Sequence, residues 1–290
     1  MIICKTALAL QNQLVSDQDF ALTRGFVPTM GALHAGHLSL IREAKKKCKI
    51  VIASIFVNPT QFNDPGDFAK YPITIAADIL MLEKEGCDIL LLPSVEEMYP
   101  NGTQHLEHYD IGRMDQLLEG AYRPGHFQGV CQVVYRLLQM VKPGQLFMGA
   151  KDYQQCMVVN RLLEIKSLPV IFHKCPTLRE QDGLAMSSRN RRLNEIARSQ
   201  ATAIYRELQK IHQHKNQASP RKLEEEAKQN LLDAGFEAVD YISIAHPETL
   251  EPLEKIDEET AIVVCCAAYI DGTRLIDNLA TSDIEAKSRN

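Results

Sequence analysis

The stretch that decides the fold is Val27-Pro-Thr-Met-Gly-Ala-Leu-His-Ala-Gly-His-Leu38. It completes an apolar strand over Gly25–Thr29, turns at Gly31, and passes into a helical pattern near His37 that runs to about Lys47. Two histidines, His34 and His37, stand three apart around Gly36 at that turn. A helix N-terminus carries N–H groups without intrahelical partners and a partial positive charge, so it draws anions. Imidazole donors, with a glycine that lets backbone come close, make such a helix start a seat for a polyphosphate. The chemistry this suggests is nucleotide activation, in which charge building on phosphate oxygens meets donors already in place. Half of a metal site is the competing reading of His-x-x-His. It calls for further Cys, His or acidic ligands at suitable spacing, and no Glu lies between these two.

Working outward, Ile50–Val57 is a continuous β-branched run of the kind found in a central parallel strand. Strand, helix and strand within about 35 residues form a βαβ unit. Ligands bind at the carboxyl ends of such strands, which makes Asn58 and Gln61, in the polar loop after Val57, candidates for a small polar substrate. A helix over Thr74–Gly86 and a strand over Cys87–Leu92 complete βαβαβ. Further on lie a helix over Val130–Val141, a strand over Gln145–Gly149, and a helix opened by Ala150-Lys-Asp-Tyr-Gln-Gln155. Its first turn projects Lys151, Asp152 and Gln155, where Lys151 suits phosphate and Asp152 ribose hydroxyls. A strand over Pro169–Cys175 precedes Met186-Ser-Ser-Arg-Asn190, whose hydroxyls and guanidinium suit phosphate oxygens. One of Ser187 and Ser188 also fits a helix cap. A further helix is expected over about Lys5–Phe20. The fold class is therefore α/β, a Rossmann-like doubly wound parallel sheet over residues 1–176. No Gly-x-Gly-x-x-Gly is present, which disfavours a nicotinamide enzyme.

After Asn194 the pattern changes. Helices over Glu195–His214 and Ser219–Ala234 are followed by strands over Tyr241–Ala245 and Thr260–Tyr269, a hairpin signal at Asp271-Gly272, and a return strand over Arg274–Asn278. Residues 177–290 thus form a smaller α+β C-terminal domain. The 290 residues carry a net charge of −5, which argues against a nucleic-acid binder with a basic stripe. None of the eight cysteines forms a Cys-x-x-Cys pair, and most sit in apolar runs as small buried hydrophobes of a reducing compartment. No run approaches the roughly 18 apolar residues of a membrane span, and no signal h-region opens the chain. A cytoplasmic protein without membrane or nucleic-acid partners is expected.

Taken together, these segments resemble the pantothenate synthetase (pantoate–β-alanine ligase) family. The likeness rests on Pro28-Thr-Met-Gly-x-Leu-His-x-Gly-His37, Ser54-Ile-Phe-Val-Asn-Pro-x-Gln-Phe62, Tyr99-Pro-Asn-Gly102, Leu118-Glu-Gly120, Arg123-Pro-Gly-His-Phe127, Lys151-Asp-Tyr-Gln-Gln155, Asp182-Gly-Leu-Ala-Met-Ser-Ser-Arg-Asn190 and Arg274-Leu-Ile-Asp-Asn278. His-x-Gly-His alone marks a whole nucleotidyltransferase superfamily; the other segments are far more specific. The resemblance implies that pantoate attacks the α-phosphorus of Mg-ATP, leaving pantoyl adenylate and pyrophosphate, and that β-alanine then displaces AMP. It implies an ATP site made of Met30, Gly31, Ala32, Leu33, His34, Ala35, Gly36 and His37, with Gly149, Ala150, Lys151, Asp152, Leu178, Met186, Ser187, Ser188 and Arg189. Of these, His34, His37, Lys151, Ser187, Ser188 and Arg189 are the expected catalytic donors. Gln61, Gln155, Met30 and Asn58 are implied at pantoate, and Gln61 also at β-alanine. Mg2+ is expected to be held mainly by ATP phosphates, the protein to be a homodimer, and the C-terminal domain to act as a lid. Three positions depart from the family: Ala150 stands where Glu is common, and Ile73 and Gln128 where Arg is. Two alternatives stay open: a related transferase with a phosphorylated acceptor, and a nucleotide binder without catalysis.

Overall fold

The structure, a computed structural model, describes residues 1–14, 23–62, 65–69 and 71–288. They divide into two compact units. The first comprises Met1–Asp115, Arg123–Ala150 and Gln155–Cys175; the second comprises Gln116–Tyr122, Lys151–Gln154 and Pro176–Asn290.

In chain order the elements begin β1 (Ile2–Cys4), α1 (Ala7–Leu14), β2 (Arg24–Thr29), α2 (Ala35–Lys47), β3 (Ile50–Ile55), α3 (Pro65–Ala69), α4 (Ile75–Lys84), β4 (Ile89–Leu91) and α5 (Val95–Met98). Then come α6 (Glu119–Tyr122), α7 (His126–Val141), β5 (Gln145–Gly149), α8 (Tyr153–Ile165) and β6 (Ile171–Cys175). Among the described residues, six strands form one parallel sheet in the order β1-β4-β3-β2-β5-β6. Successive strand residues point to opposite faces, and the burial follows that rule. Phe26, Ile52, Leu91, Leu146 and Met148 join a core with Leu10, Val134 and Val159 of α1, α7 and α8. Their neighbours Val27, Val51, Ala53, Leu90 and Phe147 join a second core with Ile41 of α2 and Leu82 of α4. A sheet covered on both faces is the reason its strands read as unbroken apolar runs. From β2 the chain winds outward through β3 and β4, then returns through β5 and β6 on the other side. Between β2 and β5 lies the switch point at which such sheets take ligands.

The second unit holds α9 (Glu195–Gln200), α10 (Ala203–His214), α11 (Pro220–Asp233), β7 (Ala238–Ala245), β8 (Val263–Ile270), β9 (Thr273–Ala280) and α12 (Thr281–Ser288). Its three strands form an antiparallel sheet, β7-β8-β9. Alternate residues Val264, Cys266 and Ala268 of β8 pack with Ile204 and Leu208 of α10 and Leu223 and Leu231 of α11. The β8–β9 hairpin turns through Asp271 at φ 51° and Gly272 at φ 62°, the paired left-handed residues of a type I′ turn.

Several elements differ from expectation. β1 is an additional edge strand, three residues long and paired with β4, too short to carry a period of its own. The expected N-terminal helix is α1, and the part of it beyond Leu14 lies outside the described residues. The single helix expected over Glu195–His214 is two, broken where the Thr202 hydroxyl donates back to the Ser199 carbonyl at 2.8 Å. α7 starts one turn early, at His126, behind Gly125 with φ 79°.

Candidate active site

In the first unit the site is built on the turn from β2 into α2. The Thr29 hydroxyl donates to the Ser54 carbonyl at 2.7 Å and accepts from Gly31 N at 3.2 Å, fixing the end of β2. Gly31 and Ala32 then take left-handed conformations, φ 82° and 50°. The N–H groups of Ala32 and Leu33 turn to Asp78 of α4, each 2.9 Å from one carboxylate oxygen. His34 is the N-cap of α2. Its Nδ1 accepts from Gly36 N at 3.1 Å, while Nδ1 of His37 accepts from His34 N at 3.3 Å. The rings lie 4.0 Å apart. An Nδ1 that accepts a backbone N–H cannot carry the proton, so in both rings the donor is Nε2–H. The caps thus fix the tautomer as well as the helix start.

A second group surrounds Gln61, which closes a 3-10 turn, Pro59–Gln61, after β3. Its Nε2 lies 2.7 Å from the Met30 sulfur, and its Oε1 accepts from Asn58 Nδ2 at 3.3 Å. Asn58 is 1% exposed, and its other amide contacts are internal. Nδ2 donates to the Gly129 carbonyl at 3.1 Å, and Oδ1 accepts from the Tyr99 hydroxyl at 2.8 Å. Burial pushes the Tyr99 phenol up, against the hydrogen bonds of Thr60 and Asn58, so Tyr99 is a stable donor. The Gln61 carbonyl accepts from Nδ1 of buried His126 at 2.8 Å, and Arg123 donates to Nε2 of that ring at 3.2 Å. Gly149 ends β5, Ala150 is buried in the 3-10 turn Ala150–Asp152, and Gln155 is half-buried in the first turn of α8.

In the second unit, Lys151, Ser187, Arg189, Asn190, Arg274 and Asp277 line one cavity. The segment before it is a hairpin: Met186 N donates to the Leu178 carbonyl at 3.0 Å, and Gly183 turns at φ 94°. Arg179 fastens this hairpin to β9 through Asp277, at 2.5 and 3.0 Å, and stacks 3.7 Å over the Tyr205 ring. Ser187 caps the 3-10 turn Ser188–Arg192, its hydroxyl accepting from Arg189 N at 3.3 Å. The carbonyl of Lys151 accepts from Asn278 Nδ2 at 2.7 Å, and its ammonium lies 3.9 Å from exposed Asp152. Arg274 spends its charge on Glu119, at 2.8 and 2.7 Å, and on Asp240 at 2.8 Å. Burial works against that guanidinium, but Glu119 and Asp240 outweigh it and raise its pKa. Lys151 and Arg189 are the expected phosphate-binding cations of this cavity.

The expected residues therefore fall into two groups, one on each unit. Met30 and His34–His37 share the first with Asn58 and Gln61; Lys151, Ser187 and Arg189 share the second. Sequence reasoning missed Asp78 and Gly129, and gave no role to Tyr99, Glu119 and Asn278, which stand within segments of the family likeness. For Asp78 one signal existed, an acid four residues before Leu82 within the apolar run Ile75–Leu82, which puts it on the face that Leu82 buries. The three departures are also placed. Gln128 binds the Tyr109 N–H and carbonyl and Asp115, each at 3.0 Å. Ile73 is 75% exposed, and Ala150 is 2% exposed. Among the described residues no group of three or more His, Cys, Asp or Glu side chains converges as a metal site. Nor is any helix among them long and apolar enough to cross a membrane.

Residues 2–280 match the family model described as pantoate-beta-alanine ligase. A pantothenate synthetase of Cytophaga hutchinsonii is 46% identical over 257 residues, covering 88% of this chain and 90% of that protein. The crystal structure of pantothenate synthetase from Thermus thermophilus matches with a TM-score of 0.87 at 40% identity, covering 96% of this chain and 99% of that one. The pantoate-beta-alanine ligase of Francisella tularensis, crystallised in complex with beta-gamma ATP and beta-alanine, matches with a TM-score of 0.81 at 36% identity, covering 97% of this chain and 98% of that one.

Proposed function

The chain belongs to the pantoate–β-alanine ligase family, and from that premise we propose how its own residues carry out the ligation of pantoate to β-alanine with ATP. A pantoate carboxylate oxygen attacks the α-phosphorus, the bond to the β-phosphate oxygen breaks, and pyrophosphate leaves. The β-alanine amine, in its neutral form, then attacks the acyl carbon of pantoyl adenylate, AMP departs with the bonding electrons, and the nitrogen gives up a proton to solvent. Neither step needs a protein nucleophile. Both need aligned reactants and donors for the charge gathering on phosphate oxygens.

His34 and His37 supply those donors through Nε2–H at the positive end of α2. The observation that carries this reading is the pair of reciprocal caps, which fixes both rings and both tautomers before any nucleotide arrives. Lys151, Ser187, Ser188 and Arg189 add charge and hydroxyl donors from the second unit, which acts as the lid. Leu178, Met186, Gly149, Ala150 and Asp152 complete the nucleotide set. Gln61 orients pantoate, with Gln155 and Met30, and meets β-alanine; Asn58 serves through Gln61. Mg2+ entering with ATP would supply positive charge against the repulsion met by the incoming carboxylate, and no side chain of the chain is assigned to hold it. The protein works as a cytoplasmic homodimer, a state that sedimentation of the purified chain checks.

The test is pyrophosphate release from Mg-ATP. Pantoate alone should give a single-turnover burst, and adding β-alanine should convert it to steady turnover with AMP release. Folded protein that releases no pyrophosphate under either condition overturns the proposal.

A further inference from the structure

Asp78 is 0% exposed, at the first turn of α4. A carboxylate that far from water stays there only if its oxygens are well supplied with donors. Three groups supply them. Ala32 N reaches Oδ2 and Leu33 N reaches Oδ1, both at 2.9 Å, and the Thr74 hydroxyl lies 3.1 Å from each oxygen. Thr74 stands at the N-cap of α4 but leaves the helix N–H groups alone; its side chain serves Asp78 instead.

The bonded segment is the one that needs holding. Ala32 is held at φ 50°, a conformation that a residue with a Cβ resists. A cavity of about 220 Å³, lined by Gly31, Ala32, Ile55, Phe56, Thr74 and Asp78 among others, lies beside the turn, so packing alone does not fix it. One residue later comes His34, whose ring starts α2. The Ala32 and Leu33 N–H groups face Asp78, so the backbone just before His34 is set by that carboxylate.

We propose that Asp78 is a positioning residue for the nucleotide site: its buried carboxylate pins the Gly31–Leu33 turn and so fixes where the two histidines present their donors. The proposal rests on the reading of His34 and His37 as phosphate donors. Asp78 itself touches no substrate.

The test compares Asp78→Asn, the double variant Asp78→Asn with Ala32→Gly, and His37→Ala in the pyrophosphate assay, with circular dichroism to measure the folded fraction. Asp78→Asn keeps one acceptor and turns an amide N–H against a backbone N–H. Its kcat per folded enzyme should fall about 10²-fold, the cost of misplacing catalytic groups by about 1 Å, while KM for pantoate stays within about threefold. Glycine at position 32 adopts the left-handed turn without a clamp, so the double variant should recover about fivefold; a residue that merely filled the core would not be rescued this way. An Asp78→Asn enzyme with wild-type kcat, one whose loss matches its unfolded fraction, or no recovery in the double variant each overturns the proposal. If Asp78→Asn does not fold, Thr74→Val carries the test. It should lower kcat by about tenfold or more, the loss of one hydrogen bond to a charged group, and an unchanged kcat refutes the proposal. A fully active His37→Ala enzyme overturns the histidine reading and this proposal with it. An impaired His37→Ala beside a fully active Asp78→Asn overturns this proposal alone.

Discussion

Gly129 in α7 offers the sharpest test of how the Gln61 turn, proposed to meet pantoate, is held. A Cβ at this position would lie 2.4 Å from the Thr60 carbonyl oxygen, 2.7 Å from its carbon and 2.9 Å from the Gln61 Cα. All three are backbone atoms, so no rotamer change relieves the clash. A comfortable carbon–oxygen separation is about 3.3 Å, which asks for a shift of roughly 0.9 Å. α7 is locked by Phe127, Val130, Cys131 and Val134 in the core, so the Pro59–Gln61 turn must yield. Gln61 moves with it, away from Met30, and the Asn58–Gly129 bond stretches. Overpacking of this kind costs about 1–3 kcal/mol, or a fall in Tm of about 2–12 °C for a unit of this size. Misplacement by about 1 Å costs on the order of 10²-fold in catalysis. We therefore expect Gly129→Ala to lower kcat/KM for pantoate about 10²-fold while KM for ATP stays within about threefold. Steady-state pyrophosphate release at varied pantoate and at varied ATP measures these constants, and thermal unfolding followed by circular dichroism measures the Tm. Wild-type kcat/KM for pantoate together with an unchanged Tm would refute the reasoning.

Three further outcomes follow from the same geometry. His37→Ala should lower turnover by about 10²–10³-fold, the loss of one transition-state donor, and activity within a few-fold of wild type removes that role. Burial lowers the pKa of His212 below its ordinary 6.5, outweighing the Leu279 carbonyl that favours its charged form. Below that value the unfolded chain takes up a proton that the folded chain refuses. Stability should accordingly fall as pH drops from 6.5 toward the lowered value, so urea midpoints at pH 7.5 and 5.5 should differ more in wild type than in His212→Gln. All eight cysteines are free and buried, and burial pushes Cys87 and Cys175 up to about 11 and Cys131 to about 12. Native protein at pH 8 should release fewer than about one thiol equivalent to an aromatic disulfide reagent within minutes, all eight appearing in guanidinium; prompt release from the folded protein contradicts the packing.

What could be read from the chain, and what could not, divides along a physical line. β3 was legible because a strand covered on both faces must be apolar at every position, and Ile50–Ile55 carries that signal within six residues. The turn at Gly31 and the pair His34 and His37 were legible for the same reason: glycine, spacing and helix start lie within eight residues. Asp78 was not, because its partners Ala32 and Leu33 are 46 and 45 residues away and nothing local names them. Tyr99 meets Asn58 across 41 residues. The segment Gln116–Tyr122 groups with the C-terminal unit because Glu119 meets Arg274, 155 residues later. Local chemistry announces donors to substrate; the groups that aim those donors are written elsewhere in the chain.

That division bears on the three departures from the family pattern. Gln128 uses its amide on the backbone of Tyr109 and on Asp115, a structural task that a neutral side chain performs without a charge. Ala150 is buried, where a glutamate would need a partner to offset the loss of water. Ile73 faces solvent and bonds nothing that the histidines depend on. None of the three makes a side-chain hydrogen bond to His34, His37 or Gln61. Those are held by Asp78 on the backbone of one turn and by Gly129, Asn58 and His126 on the backbone of another. Substitutions that change the charge around the site should therefore shift substrate affinity, whereas substitutions that move either turn should cost turnover. An aspartate and a glycine that meet no substrate should then cost about 10²-fold in turnover when altered, a loss that approaches the one expected for His37 itself.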